Sequence, residues 1–147
     1  MKKLLSLGLI SFCLLTTLNA QSIPCLGEKK FTSLEEALAE PEKVVYLDLG
    51  MHQPKLTAIP KEIAKFPNLK CLDVSFNQVA LIPDEIKACK QLKVLNLAGN
   101  RYLAKLPAVL QSLPNLEEVN VTDIPEWNEE VKADAKNLLP DVKVITD

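Results

Sequence analysis

Leu69-Lys-Cys-Leu-Asp-Val-Ser-Phe-Asn77 recurs as Leu92-Lys-Val-Leu-Asn-Leu-Ala-Gly-Asn100, and again, degraded, as Leu116-Glu-Glu-Val-Asn-Val121. Leu72 to Leu95 is 23 residues, and Leu95 to Val119 is 24. A segment repeated at this interval is one supersecondary unit. It cannot bury its apolar face alone, so units stack and each contacts its neighbours. Such a stack offers an extended surface for recognition; the repeat names no ligand.

Working outward, residues 44–49 (Val-Val-Tyr-Leu-Asp-Leu) align as an earlier copy. Residues 142–145 (Val-Lys-Val-Ile) read as a truncated fifth strand, 26 residues after Val119. Within a unit the side chains alternate. Leu72 and Val74 point one way; Cys71, Asp73 and Ser75 point the other, as on a strand. Each coil returns the chain to the same start, so the strands are parallel. The return segments carry apolar residues three apart: Ile63, Phe66 and Leu69, then Ile86, Cys89 and Leu92, then Leu110, Leu113 and Leu116. That step predicts a short helix or 3₁₀ turn packed inward, opened by Pro60, Pro83 or Pro107. Asn77 and Asn100 stand where the strand turns away. Their amides can bond main-chain groups of neighbouring coils. His52 stands at the equivalent place in the first unit, displaced by an insertion around Gln53 and Pro54, and reads as a turn residue.

A stack has two open ends that need covering. Residues 31–38 open like a helix, with a capping box from Thr32 and Glu35 or from Ser33 and Glu36, and Pro41 ends it. At the other end Trp127, Val131, Ala135 and Leu138 form a stripe at helical spacing within residues 125–139. The expected organisation is residues 21–43 as N-terminal cap, 44–121 as repeats, and 122–147 as a C-terminal capping helix and terminal strand.

Residues 1–20 read as a secretory signal peptide, with Lys2 and Lys3 before an apolar run over 4–18 and a cut after Ala20. The run is short of the roughly 20 residues a membrane span needs. The expected location is therefore outside the cytoplasm: periplasm, cell surface or secreted. Beyond the cut, 15 basic and 19 acidic residues remain, a net charge of −4. No basic stripe points to nucleic acid. Cys25, Cys71 and Cys89 remain, an odd count that allows one internal bridge at most. Cys71 points to the open strand face and a whole coil separates it from Cys25, so the expectation is three free thiols; if one bridge forms instead, by the Cys25 segment folding over the rim, Cys25–Cys71 is the pair. Cys89, in the place of Phe66 and Leu113, is expected to be buried and inert. With one histidine in the chain, His52, neither a histidine metal site nor a triad has material.

Residues 44–121 resemble leucine-rich repeat proteins, through L-x-x-L-x-L-x-x-N and the closing motifs Ile59-Pro-Lys-Glu-Ile63, Ile82-Pro-Asp-Glu-Ile86 and, more loosely, Leu106-Pro-Ala-Val-Leu110. These closing motifs are similar to those of short bacterial and Ras-group-like repeats. The first unit lacks the asparagine and the fourth has Ile124 in its place, as terminal units often do. The resemblance implies an α/β, right-handed solenoid with parallel strands on the concave side and helical caps. It implies protein binding, with no reaction and no cofactor.

Carried onto this chain, the geometry makes four columns of outward side chains. They are Tyr46, Cys71, Val94 and Glu118; Asp48, Asp73, Asn96 and Asn120; Gly50, Ser75, Ala98 and Thr122; Met51, Phe76, Gly99 and Asp123. The candidate partner-binding residues are Tyr46, Asp48, Met51, Cys71, Asp73, Ser75, Phe76, Val94, Asn96, Glu118 and Asn120. Asp48 and Asp73 stand about 5 Å apart on neighbouring strands, where like charges disfavour each other. Calcium wants more oxygens than this, and a glycosidase pair needs a cleft. The expected function is an exported, non-catalytic scaffold that binds a protein partner on this face. The alternative is a structural or assembly component of the bacterial cell envelope.

Overall fold

The computed structural model describes residues 25–147. The segment that carries the signal-peptide reading lies outside the described residues. Six parallel strands form one sheet in strict chain order: β1 (Lys30–Phe31), β2 (Tyr46–Asp48), β3 (Cys71–Asp73), β4 (Val94–Asn96), β5 (Glu118–Asn120) and β6 (Lys143–Ile145). Leu47, Leu72, Leu95, Val119 and Val144 stand in register across β2 to β6. The first four are buried. Their strand neighbours face the other way, so the period-2 pattern sets which side packs.

The return segments are 3₁₀ turns over Lys61–Lys65, Asp84–Ala88 and Ala108–Ser112. Each proline stands one residue before its turn, at the N-cap rather than inside it, and its carbonyl accepts from Ile63, Ile86 or Leu110. Those three residues, with Phe66, Cys89 and Leu113, line the inner wall opposite the strands. One continuous core results, and each fully buried leucine or isoleucine stabilises it by about 1.5–3 kcal/mol before entropy is counted.

Two asparagines hold the coils at their pitch. Asn77 Nδ2 donates to Leu49 O, Val74 O and Ser75 O, while Oδ1 accepts from Leu56 N. Asn100 repeats the set one coil on, with Val74 O, Leu97 O and Ala98 O as acceptors and Val79 N as donor. A strand that turns inward buries these main-chain groups away from water, and a primary amide supplies both signs of partner. His52 does not enter this ladder; its Nδ1 lies 2.8 Å from the Pro54 carbonyl at the surface.

The ends differ from expectation in detail. The N-terminal helix α1 spans Leu34–Ala39, with Ser33 Oγ accepting from Glu36 N. Glu36 does not complete a capping box; it pairs with Lys29 at 3.1 Å. Ahead of α1 the chain adds β1, whose Phe31 is buried against the first coil. At the far end α2 covers Glu129–Leu138, capped by Asn128 Oδ1 on Val131 N. Trp127 precedes α2, buried, and its Nε1 donates to Leu103 O at 2.6 Å. No helix among the described residues is long and apolar enough to cross a membrane.

Candidate binding face

The strand side chains not spent on the core form the face. Its first column runs Lys30, Tyr46, Cys71, Val94, Glu118, Lys143 in register. Lys30 and Lys143 were absent from the sequence-based set, and they close its two ends. Lys30 Nζ lies 3.0 Å from Asp48 Oδ2 and 4.9 Å from the centre of the Tyr46 ring. The hydrogen bond to Asp48, then its charge, raises the Lys30 pKa above the ordinary lysine value. Lys143 Nζ lies 2.9 Å from Glu118 Oε2.

The second column ends the strands. Asp48 Oδ1 accepts from Gly50 N, Asp73 Oδ1 from Ser75 N, Asn96 Oδ1 from Ala98 N and Asn120 Oδ1 from Thr122 N. Each side chain thus holds the amide two residues on, the local bond that Asx residues make at turns. Asp73 Oδ2 also accepts from Asn96 Nδ2 at 2.8 Å. The aspartates do not face each other unscreened, because amide donors and Lys30 bond to both oxygens of each.

In the fourth column Met51, Phe76, Gly99 and Asp123 all sit at positive φ, between 51° and 69°. The chain turns left-handed there to leave each strand. Glycine at position 99 does more than permit the turn. A Cβ there would come within 2.5 Å of Phe76 Cδ1, so the phenyl ring lies directly over the Gly99 backbone. Phe76 stays 47% exposed and Met51 67%.

Two candidate residues are not available as expected. Cys71 and Ser75 are buried. Ser75 Oγ leans over Gly50, where a Cβ would lie 3.1 Å away. Cys71 is bonded to Cys25, with Cα atoms 6.3 Å apart. This corrects the expectation of three free thiols. β1 lies beside β2, and the chain before it turns at Cys25 and Gly27, both at positive φ. The turn closes with Glu28 N on Cys25 O and brings Cys25 across the first coil to β3. Closing a 46-residue span restricts the unfolded chain by about 4 kcal/mol on the loop-entropy account.

Cys89 is buried, and desolvation pushes its thiol pKa up to about 11. Its Sγ lies 3.4 Å from Ile63 O. A polar alkylating reagent without reductant is therefore expected to modify none of Cys25, Cys71 and Cys89 in the folded protein. It should modify one after denaturation, and three once a reductant is added. Intact mass reads the count directly; three adducts without reductant would remove the bridge, and rapid native labelling of Cys89 would remove its burial.

Between the paired ends lies a shallow hollow of about 180 Å³, lined by Tyr46, Cys71, Asp73, Val94, Asn96 and Glu118, with Leu72 and Asn120. Its floor is the sheet and the disulfide sulfur; its walls mix an aromatic ring, an aliphatic side chain, amides and carboxylates. Among the described residues no group of three or more histidine, cysteine, aspartate or glutamate side chains is placed to hold a metal ion.

Residues 67–112 match the family described as Leucine Rich repeats (2 copies). The mouse protein flightless-1 homolog (Mus musculus) is 35% identical over 69 residues, which are 47% of this chain and 5% of that protein. A probable disease resistance protein of Arabidopsis thaliana is 31% identical over 84 residues, 54% of this chain and 9% of the other. Among solved structures, a leucine-rich repeat protein of Leptospira interrogans superposes with a TM-score of 0.64 at 29% identity, over 79% of this chain and 29% of that one. The chain thus spans less than a tenth of each curated relative and less than a third of the solved one. The matched copies cover β3, β4 and their return turns, the coils that carry Asn77 and Asn100. Repeat, ladder and likeness converge: residues 67–112 are leucine-rich repeats, and the sheet built on them is that of a leucine-rich repeat solenoid.

Proposed function

We propose that this chain is an exported, non-catalytic recognition module that holds a protein partner on its concave strand face. Leucine-rich repeat folds commonly mediate protein–protein association. The charged and then apolar N-terminal segment supports export, and the Cys25–Cys71 bridge suits an oxidising compartment. The engagement of Asp48 and Asp73 in strand-ending bonds favours a binding surface over acid–base work. The observation that carries the reading is the exposure of Met51 and Phe76 on the rim of the face. Large apolar side chains beside a polar hollow are what interface hot spots use.

The test is affinity capture from cell-envelope extract with wild type, Met51→Ala and Phe76→Ala proteins of matched melting temperature. A discrete partner retained by wild type and lost on either substitution is expected. Bulk association with envelope material that ignores both substitutions would instead make the protein a structural component of the envelope and sink the proposal.

A further inference from the structure

Acid–base pairs run along the concave face, and the row lacks one member. Asp48 has Lys30 and Glu118 has Lys143. Asp73, between them on β3, makes no ion pair among the described residues. Its oxygens accept from Ser75 N and Asn96 Nδ2. A carboxylate offers about four acceptor directions, so two remain, and Asp73 lines the hollow. Tyr46 lines it too, and Val94 supplies an apolar wall. In the first two columns Asp48, Asp73 and Glu118 stand against Lys30 and Lys143, which leaves one negative charge unbalanced there, and it sits at the hollow.

We propose that this hollow receives a basic side chain, arginine by preference, from an extended segment of the protein partner. The inference rests on the concave-face reading above and specifies its chemistry. Lys30 already shows the arrangement in miniature: a cation on a carboxylate, beside the Tyr46 ring. An arginine entering the hollow repeats that contact one strand further on. Its planar guanidinium stacks on an aromatic face and donates to carboxylate oxygens together, which a neutral side chain of the same shape cannot do. Val94 packs against the methylene stem. Asn96 and Asn120 offer acceptor oxygens without adding charge.

The probe is a capped five-residue peptide with a central arginine between valines, compared with its citrulline counterpart, which keeps the shape and loses the charge. Binding is read from backbone and side-chain amide shifts of the isotope-labelled full chain. The decisive variant is Asp73→Asn. Asparagine already fills this column at Asn96 and Asn120 and makes the same bond to the amide two residues on, so the substitution removes charge and keeps the turn. Saturable shifts centred on residues 46, 73 and 96 are expected with the arginine peptide. They should weaken at least about tenfold for citrulline and for Asp73→Asn, and weaken as salt is raised. Equal binding of both peptides, no effect of Asp73→Asn, or no shift at the hollow would each overturn the inference. A partner still captured through Met51 and Phe76 when Asp73→Asn changes nothing would leave the recognition reading standing and remove only this one.

Discussion

Removal of residues 126–147 is expected to make the chain aggregate. Three losses coincide. The first is the edge. β6 pairs with β5 through Lys143 N on Glu117 O and Val121 N on Ile145 O. Without it, β5 exposes a row of unpaired donors and acceptors flanked by Val119 and Val121, a template for pairing with other chains. The second is the lid on the core: Trp127, Ala135 and Leu139 are all buried. Burying a large apolar side chain contributes roughly 1.5–3 kcal/mol before entropy is subtracted. The third is the hydrogen bond from Trp127 Nε1 to Leu103 O, whose loss leaves that carbonyl without its partner. Against a total stability of about 5–15 kcal/mol, the sum is a large share. Trp127→Ala alone should cost about 3–5 kcal/mol, a fall in melting temperature of roughly 10–25 °C for a domain of this size. Size-exclusion chromatography and a thermal melt check both. A truncated protein that stays monomeric with an unchanged melting temperature would show that residues 126–147 cap nothing.

Asn100→Ala is expected to cost about as much although it removes only a few atoms. Asn100 is fully buried. Its amide serves Val74 O, Leu97 O and Ala98 O, and its carbonyl oxygen serves Val79 N. Alanine deletes four bonds and leaves their main-chain partners in the core. An abandoned buried polar group costs about 1–3 kcal/mol; relaxation and shared acceptors make the total less than additive, so about 3–5 kcal/mol is expected. Asn100→Asp should not rescue it, because it keeps an acceptor for Val79 N but turns a negative oxygen toward three carbonyls. Asn68 provides the contrast. Its Nδ2 donates to Glu42 O at the surface, and Asn68→Ala should cost under about 1 kcal/mol, since water replaces it. Denaturant melts of the three variants decide. Equal costs at positions 68 and 100 would show that burial is not what gives the ladder its value.

Repetition explains what was readable from the residues alone. Strand centres, 3₁₀ returns and the duty of Asn77 and Asn100 each recur in register, so every copy supports the reading of the next. β1 has no such support: it is two residues long, with one buried side chain, Phe31, after the charged run Glu28-Lys29-Lys30. The bridge was legible only as the less expected alternative for the same reason, because Cys25 reaches Cys71 only once β1 is placed. The face was legible as columns from the period of two. Which of its members reach solvent was not, since Cys71 is covered by a residue outside the repeat and Ser75 by the bare backbone of Gly50. Lys30 and Lys143 belong to the two terminal strands, β1 and β6, which lie outside the full repeats from which the columns were read. Asn68 and Asn115 form a second, surface ladder, on Glu42 O and Lys90 O; the shared Pro-Asn-Leu triplets at 67–69 and 114–116 were its signal.

The Cys25–Cys71 staple gives an otherwise uniform stack a direction. Coils that touch only their neighbours behave as a row of coupled switches, and such a row can open from either end. A covalent tie across the first coil holds the N-terminal end shut, because the segment before β1 cannot depart without carrying β3 with it. No comparable tie reaches β6. Opening therefore starts at the C-terminal end and runs toward the staple, like a zip fastened at one stop, and the half of the face around Tyr46 and Asp73 is the last to lose its shape.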